Sequence, residues 1–290
     1  MPLRDEDLPG LTAELGIPGL FDVHTHFMPP AILAKVWAYF DSAGPLLGRP
    51  WPVTYRGSDD ERVELLRAMG VKKFSSLSYA HKPGIAGFMN DWTRGFAERT
   101  PDTLWSATFY PEPGVETYVP ELIDAGVELF KAHLQVGDFA ANDPLLEPVW
   151  GALAESGTPI VLHAGSGPAP GRHTGPAGVA DVLTRHRRLK LVIAHLGMPE
   201  YAEFLDLADR YDDVRLDTTM AFVDFWEGPK PADIMPRLID LQDRILLGTD
   251  FPNIPYAYAH QVEALQRLDF GDAWMADVLW NNSTKLFGAT

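Results

Sequence analysis

Short apolar runs alternate with amphipathic stretches along most of the chain. The runs are rich in β-branched and aromatic residues, and the stretches between them repeat apolar positions at helical spacing. Strand candidates lie at residues 19–25, 71–79, 104–110, 126–134, 159–164, 189–195, 213–219 and 244–250. Helical candidates lie at residues 59–69, 84–99, 115–125, 143–156, 177–187, 199–211, 232–243 and 256–269. The alternation predicts an α/β protein with a parallel sheet.

The number of these units favours a barrel. The strand candidates are almost continuously apolar, which is typical of strands that are buried on both faces. Eight such units in 290 residues predict a distorted (β/α)8 TIM barrel that forms a single domain over residues 1–290. A doubly wound open sheet is the alternative that the pattern leaves open.

One segment interrupts the alternation after the first strand candidate. Residues 27–58 contain GPLLGRPWPVTYRG, and a loop at this place in a barrel lies at the face where active sites form. We expect an active-site loop insert in which Arg49, Trp51 and Arg56 bind the carboxylate and ring of a substrate. A surface flap with solvated arginines is the alternative. Residues 275–288 predict a C-terminal closing helix packed outside the barrel.

Composition narrows the classes of partner. The chain has 24 Lys and Arg against 40 Asp and Glu, a net charge of −16 and a pI near 4.9. A field of this sign repels nucleic acids and anionic membranes, which favours a small-molecule substrate. Cysteine is absent, so neither disulfides nor thiolate ligands are available. With no signal-peptide core and no apolar run of membrane length, we expect a cytoplasmic protein, with homo-oligomerisation left open.

Ionisable side chains gather at the ends of the strand candidates. In the first of them Asp22, His24 and His26 alternate, so all three are expected to point into the barrel mouth. Other candidates end in Lys131 with His133, in His163, in His195 and in Asp250. Each alone is more typical of a hydrogen-bonded core residue. Because the carboxyl ends of barrel strands converge, the imidazoles and carboxylate together predict a site for Zn²⁺ or a similar divalent ion.

The order of these motifs is similar to that of a known superfamily. DVHTHFMPP, FKAH, PIVLHAG, LVIAHLG and LLGTDFP resemble the amidohydrolase superfamily, within it the amidohydrolase-related group. That group contains metal-dependent hydrolases and enzymes similar to aminocarboxymuconate-semialdehyde decarboxylase, and NNSTKLFG resembles its closing helix. The resemblance covers nearly the whole chain. It implies that His24, His26, His163 and Asp250 are metal ligands.

The resemblance also implies a reaction. We expect a metal-dependent hydrolase that acts on a small, carboxylated or cyclic substrate, with a decarboxylase as the alternative and a non-catalytic binding barrel as the second alternative. Asp250 is expected to transfer protons and His195 to polarise the substrate carbonyl, while Lys131 and His133 bind substrate. One divalent ion is expected, zinc before manganese. A second metal, bridged by a carboxylated Lys131, is the less favoured alternative.

Three further side chains are candidates for the pocket wall. Tyr79 and His81 follow the second strand candidate, and His173 lies in the loop after the fifth. His186 and His260 fall in helical stretches and are expected at the surface.

Overall fold

The strands follow one another around the barrel in the order of the sequence. The computed structural model of the protein describes residues 2–225 and 234–288. Within them the strands are β1 (Leu20–Asp22), β2 (Val71–Ser75), β3 (Thr103–Leu104), β4 (Ser106–Thr108), β5 (Leu129–His133), β6 (Ile160–His163), β7 (Leu191–Ile193), β8 (Val214–Asp217) and β9 (Ile245–Leu246). Strands β1 to β3 pair in one sheet and β4 to β9 in another, all in parallel.

The two sheets together make the predicted (β/α)8 barrel, although the strand ladder is not continuous around it. β3 and β4 are the halves of one predicted strand, separated by Trp105. The Ser76 hydroxyl donates to Leu104 O at 3.0 Å beside this break. On the opposite side, Val23 N donates to Leu247 O at 2.9 Å and joins the first strand to the last. All eight strand candidates therefore contain strands of the barrel.

The helices surround the strands, and each predicted helical stretch corresponds to one of them within a few residues, whereas the helices at residues 8–14, 30–42, 44–47 and 134–137 were not predicted. The helices are α1 (Leu8–Glu14), α2 (Pro30–Ser42), α3 (Gly44–Leu47), α4 (Asp59–Ala68), α5 (Ala86–Arg99), α6 (Val115–Asp124), α7 (Leu134–Gly137), α8 (Glu147–Ser156), α9 (Pro176–Arg185), α10 (Tyr201–Arg210), α11 (Met235–Asp240), α12 (Tyr258–Gln266), α13 (Asp272–Ala276) and α14 (Asn282–Phe287). The predicted helix 232–243 begins at residues 232 and 233, which lie outside the described residues. None of the described helices is long and apolar enough to span a membrane.

The predicted loop insert after β1 contains two helices. Residues 30–42 and 44–47 form α2 and α3, and Pro30 occupies the first position of α2, where its missing N–H costs nothing. Two tryptophans hold the insert to the chain that follows β9. Trp37 Nε1 donates to Asn253 Oδ1 at 3.0 Å, and Trp51 Nε1 donates to Asn253 O at 2.7 Å. The insert is therefore fixed over the carboxyl ends of the strands.

The C-terminal segment closes the interior of the barrel, so the expectation of a helix packed outside was wrong in this detail. A π-helical turn, Asp277–Asn281, connects α13 to α14. Phe287 stacks on Phe21 of β1 with 5.5 Å between the ring centroids. Leu286 is buried in one cluster with the apolar side chains of the strands, among them Phe21, Leu129, Val161, Val192 and Leu246. This apolar layer fills the barrel beneath the polar strand ends.

Candidate metal centre and active-site cavity

Two imidazoles from the end of β1 converge on one carboxylate from the end of β9. His24 Nε2 and His26 Nε2 each lie 3.0 Å from Asp250 Oδ1. The backbone helps to hold the three together, because Asp250 N donates to His24 O at 2.8 Å. Asp250 has a φ of +64° and His195, at the end of β7, a φ of +58°. Non-glycine residues rarely adopt this conformation, and such strain concentrates at functional sites.

In His24, His26 and His195 a hydrogen bond of Nδ1 orients the ring so that Nε2 faces Asp250. Nδ1 of His24 is 2.8 Å from Asp217 Oδ2, Nδ1 of His26 is 3.1 Å from Leu77 O, and Nδ1 of His195 is 3.2 Å from Thr219 O. Because each of these oxygens accepts, each Nδ1 carries the proton and the Nε2 of a neutral ring carries a lone pair. Lone pairs and a carboxylate that face one another are stabilised by a cation between them.

Asp217 at the end of β8 organises this group from behind. Its Oδ1 accepts from His195 N at 2.9 Å and from Thr219 N at 3.1 Å, while its Oδ2 binds the His24 ring. Burial raises the pKa of Asp217, but His24 and these hydrogen bonds outweigh burial and leave the pKa below its usual value. Asp217 is therefore an ionised carboxylate, and it fixes the tautomer and orientation of a candidate ligand.

The electrostatics of His24 also favour a positive charge at the site. Burial and Lys131 lower the pKa of His24, whereas Asp217 and Asp250 raise it, and the net shift is upward. Donor atoms of His24, His195 and Asp250 lie within 4.8 Å of one another. Within the described residues this is the one group of three such side chains whose donor atoms all lie this close together.

His163 lies beside this group in a different arrangement. Its Nε2 donates to Gly167 O at 2.9 Å, and its ring stacks on His133 with 3.8 Å between centroids and 11° between planes. The His195 ring lies 4.7 Å away. Burial is the main cause that lowers the pKa of His133 and His163 well below the usual value, so both rings are neutral, as a metal ligand must be.

Lys131 of β5 is fully buried next to His24. Its Nζ lies 3.1 Å from His24 Nε2. Burial lowers the pKa of Lys131 to about 8, although Asp250 and Asp217 oppose the shift. Near neutral pH its amine is therefore easier to deprotonate than that of an ordinary lysine.

The close packing around Gly248 explains why the LLGTDFP motif has a glycine at this position. A Cβ at this position would lie 2.4 Å from Thr219 Oγ1 and 2.8 Å from His24 Cβ. Both distances are far below van der Waals contact, so only glycine lets the end of β9 pass this close to β1 and β8.

A cavity of about 380 Å³ opens above these residues. Predicted site residues that line it are His24, His26, Trp51, Tyr79, His81, Lys131, His133, His163, His195 and Asp250. Asp22 points elsewhere, because β1 ends there and strand alternation no longer applies: its Oδ1 accepts from His24 N at 3.0 Å and its Oδ2 from Tyr258 OH at 3.0 Å. The structure therefore brings the two β1 histidines, but not the aspartate, to the cavity.

Arg49 and Arg56 are not among the described residues that line the cavity. The Arg56 guanidinium forms an ion pair with Asp41, and that of Arg49 lies 4.8 Å from the centre of the Phe225 ring. The carboxylate-binding role expected of these arginines is thus not supported by their positions. Trp51, expected to act with them, does reach the cavity.

The remaining histidines lie at half-buried surface positions. His173 Nε2 is 3.9 Å from Asp138, His186 Nε2 is 3.0 Å from Glu147 and His260 Nε2 is 2.7 Å from Asp224. None of the three belongs to the described cavity wall.

A family model described as amidohydrolase matches residues 21–289, which is most of the chain. The chain belongs to the amidohydrolase family. This amidohydrolase is a member of a family of metal-dependent enzymes, and its motifs at the strand ends were correctly attributed. No curated protein sequence matches the chain significantly.

Solved structures with the same fold are distant in sequence. An uncharacterized TIM-barrel protein from Bordetella bronchiseptica is 19% identical, with a TM-score of 0.73 over 93% of this chain and 99% of that one. A 5-carboxyvanillate decarboxylase from Novosphingobium aromaticivorans, complexed with manganese and a nitrobenzoic acid, is 15% identical, with a TM-score of 0.60 over 94% and 97%. A probable 2-pyrone-4,6-dicarboxylic acid hydrolase from Acinetobacter baumannii, with citric acid bound, is 15% identical, with a TM-score of 0.58 over 93% and 99%.

Sequence reasoning missed three residues of the amidohydrolase site. Asp217 is the last residue of β8, and an aspartate at a strand end was a usable signal. Lys35 and Asn253 also line the cavity. Lys35 lies on the insert that was expected to be a loop, so the helical face that presents it was not considered.

Proposed function

We propose that this amidohydrolase is a metal-dependent hydrolase of a small organic substrate. The observation that carries the proposal is the convergence of His24, His26 and His195, each with its Nε2 facing the Asp250 carboxylate. Imidazole and carboxylate are ligands typical of zinc, which we favour over manganese. The manganese in the decarboxylase from Novosphingobium supports a divalent ion of this size without selecting between the two.

The residues present fit one such ion. We propose His24, His26 and Asp250 as ligands, with His163 as the fourth. To bind through Nε2, His163 must exchange its hydrogen bond to Gly167 O for the metal bond, at a cost of about 1 kcal/mol. His195 has the better present orientation, but hydrolysis needs a proton acceptor beside Asp250, and we assign that role to His195. Lys131 remains an unmodified amine, which favours one metal over two.

The side chains around the ion would carry the proton transfers. When bound, the divalent ion would act as a Lewis acid towards the substrate and lower the pKa of water. The pKa of Asp250 is well below its usual value, because the charge and the hydrogen bond of His24 outweigh burial, so its carboxylate is ionised and able to accept a proton. Burial lowers the pKa of His195 to about 4, so its ring is neutral with Nε2 free to accept. This neutral tautomer fits proton acceptance better than polarisation of the substrate carbonyl.

Decarboxylation is the alternative. The wall of the cavity is mostly apolar, as Met28, Val36, Met89, Met198 and Met220 show, and a carboxylate in such surroundings is poorly solvated. Loss of CO₂ would relieve this, and a proton taken up from water by way of His195 or Asp250 would replace CO₂ on the carbon.

Metal analysis and a substrate screen together test the proposal. We expect about one equivalent of metal per chain, and substitution of both His24 and His26 by alanine should remove it while circular dichroism stays unchanged. The metal-loaded protein should then be screened against lactones, amides and aromatic carboxylates, with CO₂ release measured in parallel. Ester or amide cleavage without CO₂ supports the hydrolase, CO₂ release supports the decarboxylase, and full metal content in the double variant contradicts the site.

A further inference from the structure

Helix α2 turns one face towards the cavity. Ile32, Lys35, Val36 and Tyr39 all line it, and their spacing of three, four and seven residues from Ile32 places them on one side of the helix. A helix face that covers an enclosed space is ordinarily apolar throughout. Lys35 is the only cation in this stripe.

The charge of the cavity is opposite to that of the chain. The protein has 40 acidic and 24 basic side chains, yet among the described residues of the cavity wall Asp250 is the only acid, against Lys35 and Lys131. Asp250 and Lys131 are both engaged by His24 in the deep part of the cavity. Lys35 is largely exposed, so its charge belongs to the mouth.

Lys35 forms no ion pair with a carboxylate among the residues that the structure describes. The positions three and four residues away on α2 are Ala31, Ile32, Ala38 and Tyr39, none of which is acidic. An ion pair within the helix is therefore excluded. A Lys without a partner at the mouth of a cavity is available to a ligand.

His81 adds a second polar group at the mouth. It lines the cavity, and burial first, then the charges of Lys82 and Lys35, lowers its pKa. At neutral pH His81 is therefore uncharged and has one N–H to donate to an anion.

The space between the mouth and Asp250 is apolar and larger than a single ring needs. Val36, Phe40, Met89, Met198 and Met220 are part of its wall. The cavity of about 380 Å³ compares with roughly 150 Å³ for an engineered cavity that holds benzene. A ring with a short carbon chain fits, and the flexible methionines adapt to its shape.

We infer that the substrate of this enzyme is an amphipathic anion whose carboxylate is bound by Lys35, with His81 as a second donor, at the mouth of the cavity. Its apolar body lies along the α2 face and its reacting group reaches Asp250. This inference rests on the proposed function for the position of the reacting group. It makes Lys35 a specificity-determining residue in place of Arg49 and Arg56.

The inference is tested with phenylbutyrate and its neutral analogue phenylbutyramide, titrated into the metal-loaded protein by calorimetry. A charge-assisted contact at a partly exposed site should make the carboxylate bind about three- to tenfold more tightly than the amide. Lys35→Met keeps the carbon stem and should reduce this ratio to less than about twofold, whereas Lys35→Arg should keep most of it. Lys72→Met, at an exposed lysine of β2 outside the described cavity wall, is the matched control and should leave the ratio unchanged.

The same titrations on chelator-treated protein separate this inference from the proposed function. If Lys35 binds the carboxylate, the preference survives removal of the metal. A preference that disappears with the metal and is unaffected by Lys35→Met places the carboxylate at the metal, which overturns the inference and supports the metal site. A preference that is equal in wild type and Lys35→Met, or failure of phenylalkanoates of every chain length to bind, also overturns it.

Discussion

His24 donates its Nδ1–H to Asp217 Oδ2 across 2.8 Å, and both side chains are buried. The bond joins the end of the first barrel strand to the end of the seventh barrel strand, β8. It fixes the ring so that Nε2 faces Asp250, 3.0 Å away. A carboxylate behind a ligating histidine also increases the basicity of the ligand, so this pair connects the fold to metal affinity.

Replacing Asp217 should weaken metal binding. Asp217→Asn removes the negative charge and leaves one accepting oxygen for the His24 ring and the backbone N–H groups of His195 and Thr219, and we expect metal affinity to fall about 10- to 100-fold. Competition with a chelator of known affinity measures the change.

Asp22→Asn is the matched control for Asp217, because Asp22 is equally buried and contacts the backbone N–H of His24 but not its ring. We expect it to lower thermal stability with a much smaller effect on metal affinity. Equal metal affinity in Asp217→Asn and wild type would show that the carboxylate does not tune the ligand.

Two alanine variants distinguish His163 from His195 as the fourth metal ligand. If His163 is the ligand and His195 the proton acceptor, His163→Ala should lose most of its metal, and His195→Ala should keep the metal and lose turnover. Metal content by mass spectrometry and turnover of the best substrate should be measured on the same preparations. The reverse pattern would assign the metal to the compact group of His24, His195 and Asp250.

The fold was largely predictable because the strands are buried on both faces. Such strands are continuously apolar and differ clearly from the amphipathic helices between them, so the pattern alone revealed all eight units. Helix α2 was not predicted because Lys35 interrupts the apolar face that it turns towards the cavity. The Pro, Gly and Trp residues of the segment that follows it also indicated a loop. The contact of Leu286 with the barrel interior depends on tertiary packing that no local pattern shows.

The site was predictable where chemistry repeats at strand ends. His24, His26 and Asp250 meet because parallel strands deliver their carboxyl ends to one place. Arg49 and Arg56 were chosen for their charge alone, whereas their positions depend on ion pairing and ring contacts within the folded insert. The directions of the His24, His26 and His195 ring nitrogens are set by hydrogen bonds to residues far apart in sequence, such as Leu77 for His26, and have no sequence signal.

Asp250→Asn should impair turnover much more than substrate binding. The amide can remain near the metal but cannot accept a proton, and loss of such a group costs about 10²- to 10⁴-fold in kcat. Steady-state kinetics on metal-loaded protein, with metal content confirmed, provide the measurement. A near-normal kcat with a raised KM would instead place Asp250 in substrate binding.

Loosening the insert should affect substrate binding without affecting the metal. Trp37→Phe keeps the aromatic ring but removes the N–H that Asn253 Oδ1 accepts. Asn253 is only 4% exposed, so its oxygen is left without this partner at a cost of about 1–3 kcal/mol. For a chain of this size each 1 kcal/mol lowers Tm by roughly 2–4 °C. Because α2 carries the cavity face with Lys35, we also expect KM to rise while metal content stays constant.

Trp92→Phe is the control for the insert. Trp92 is half-buried and stacks on Phe96 with 5.4 Å between centroids, and its indole N–H has no hydrogen bond within the described residues. This variant removes the same group without removing a hydrogen bond, so Tm and KM should stay close to wild type. If the two variants behave alike, the Trp37–Asn253 bond does not hold the insert. Should Trp37→Phe lower Tm but leave KM unchanged, α2 keeps its position through the second bond, from Trp51 Nε1 to Asn253 O, and the insert is anchored there.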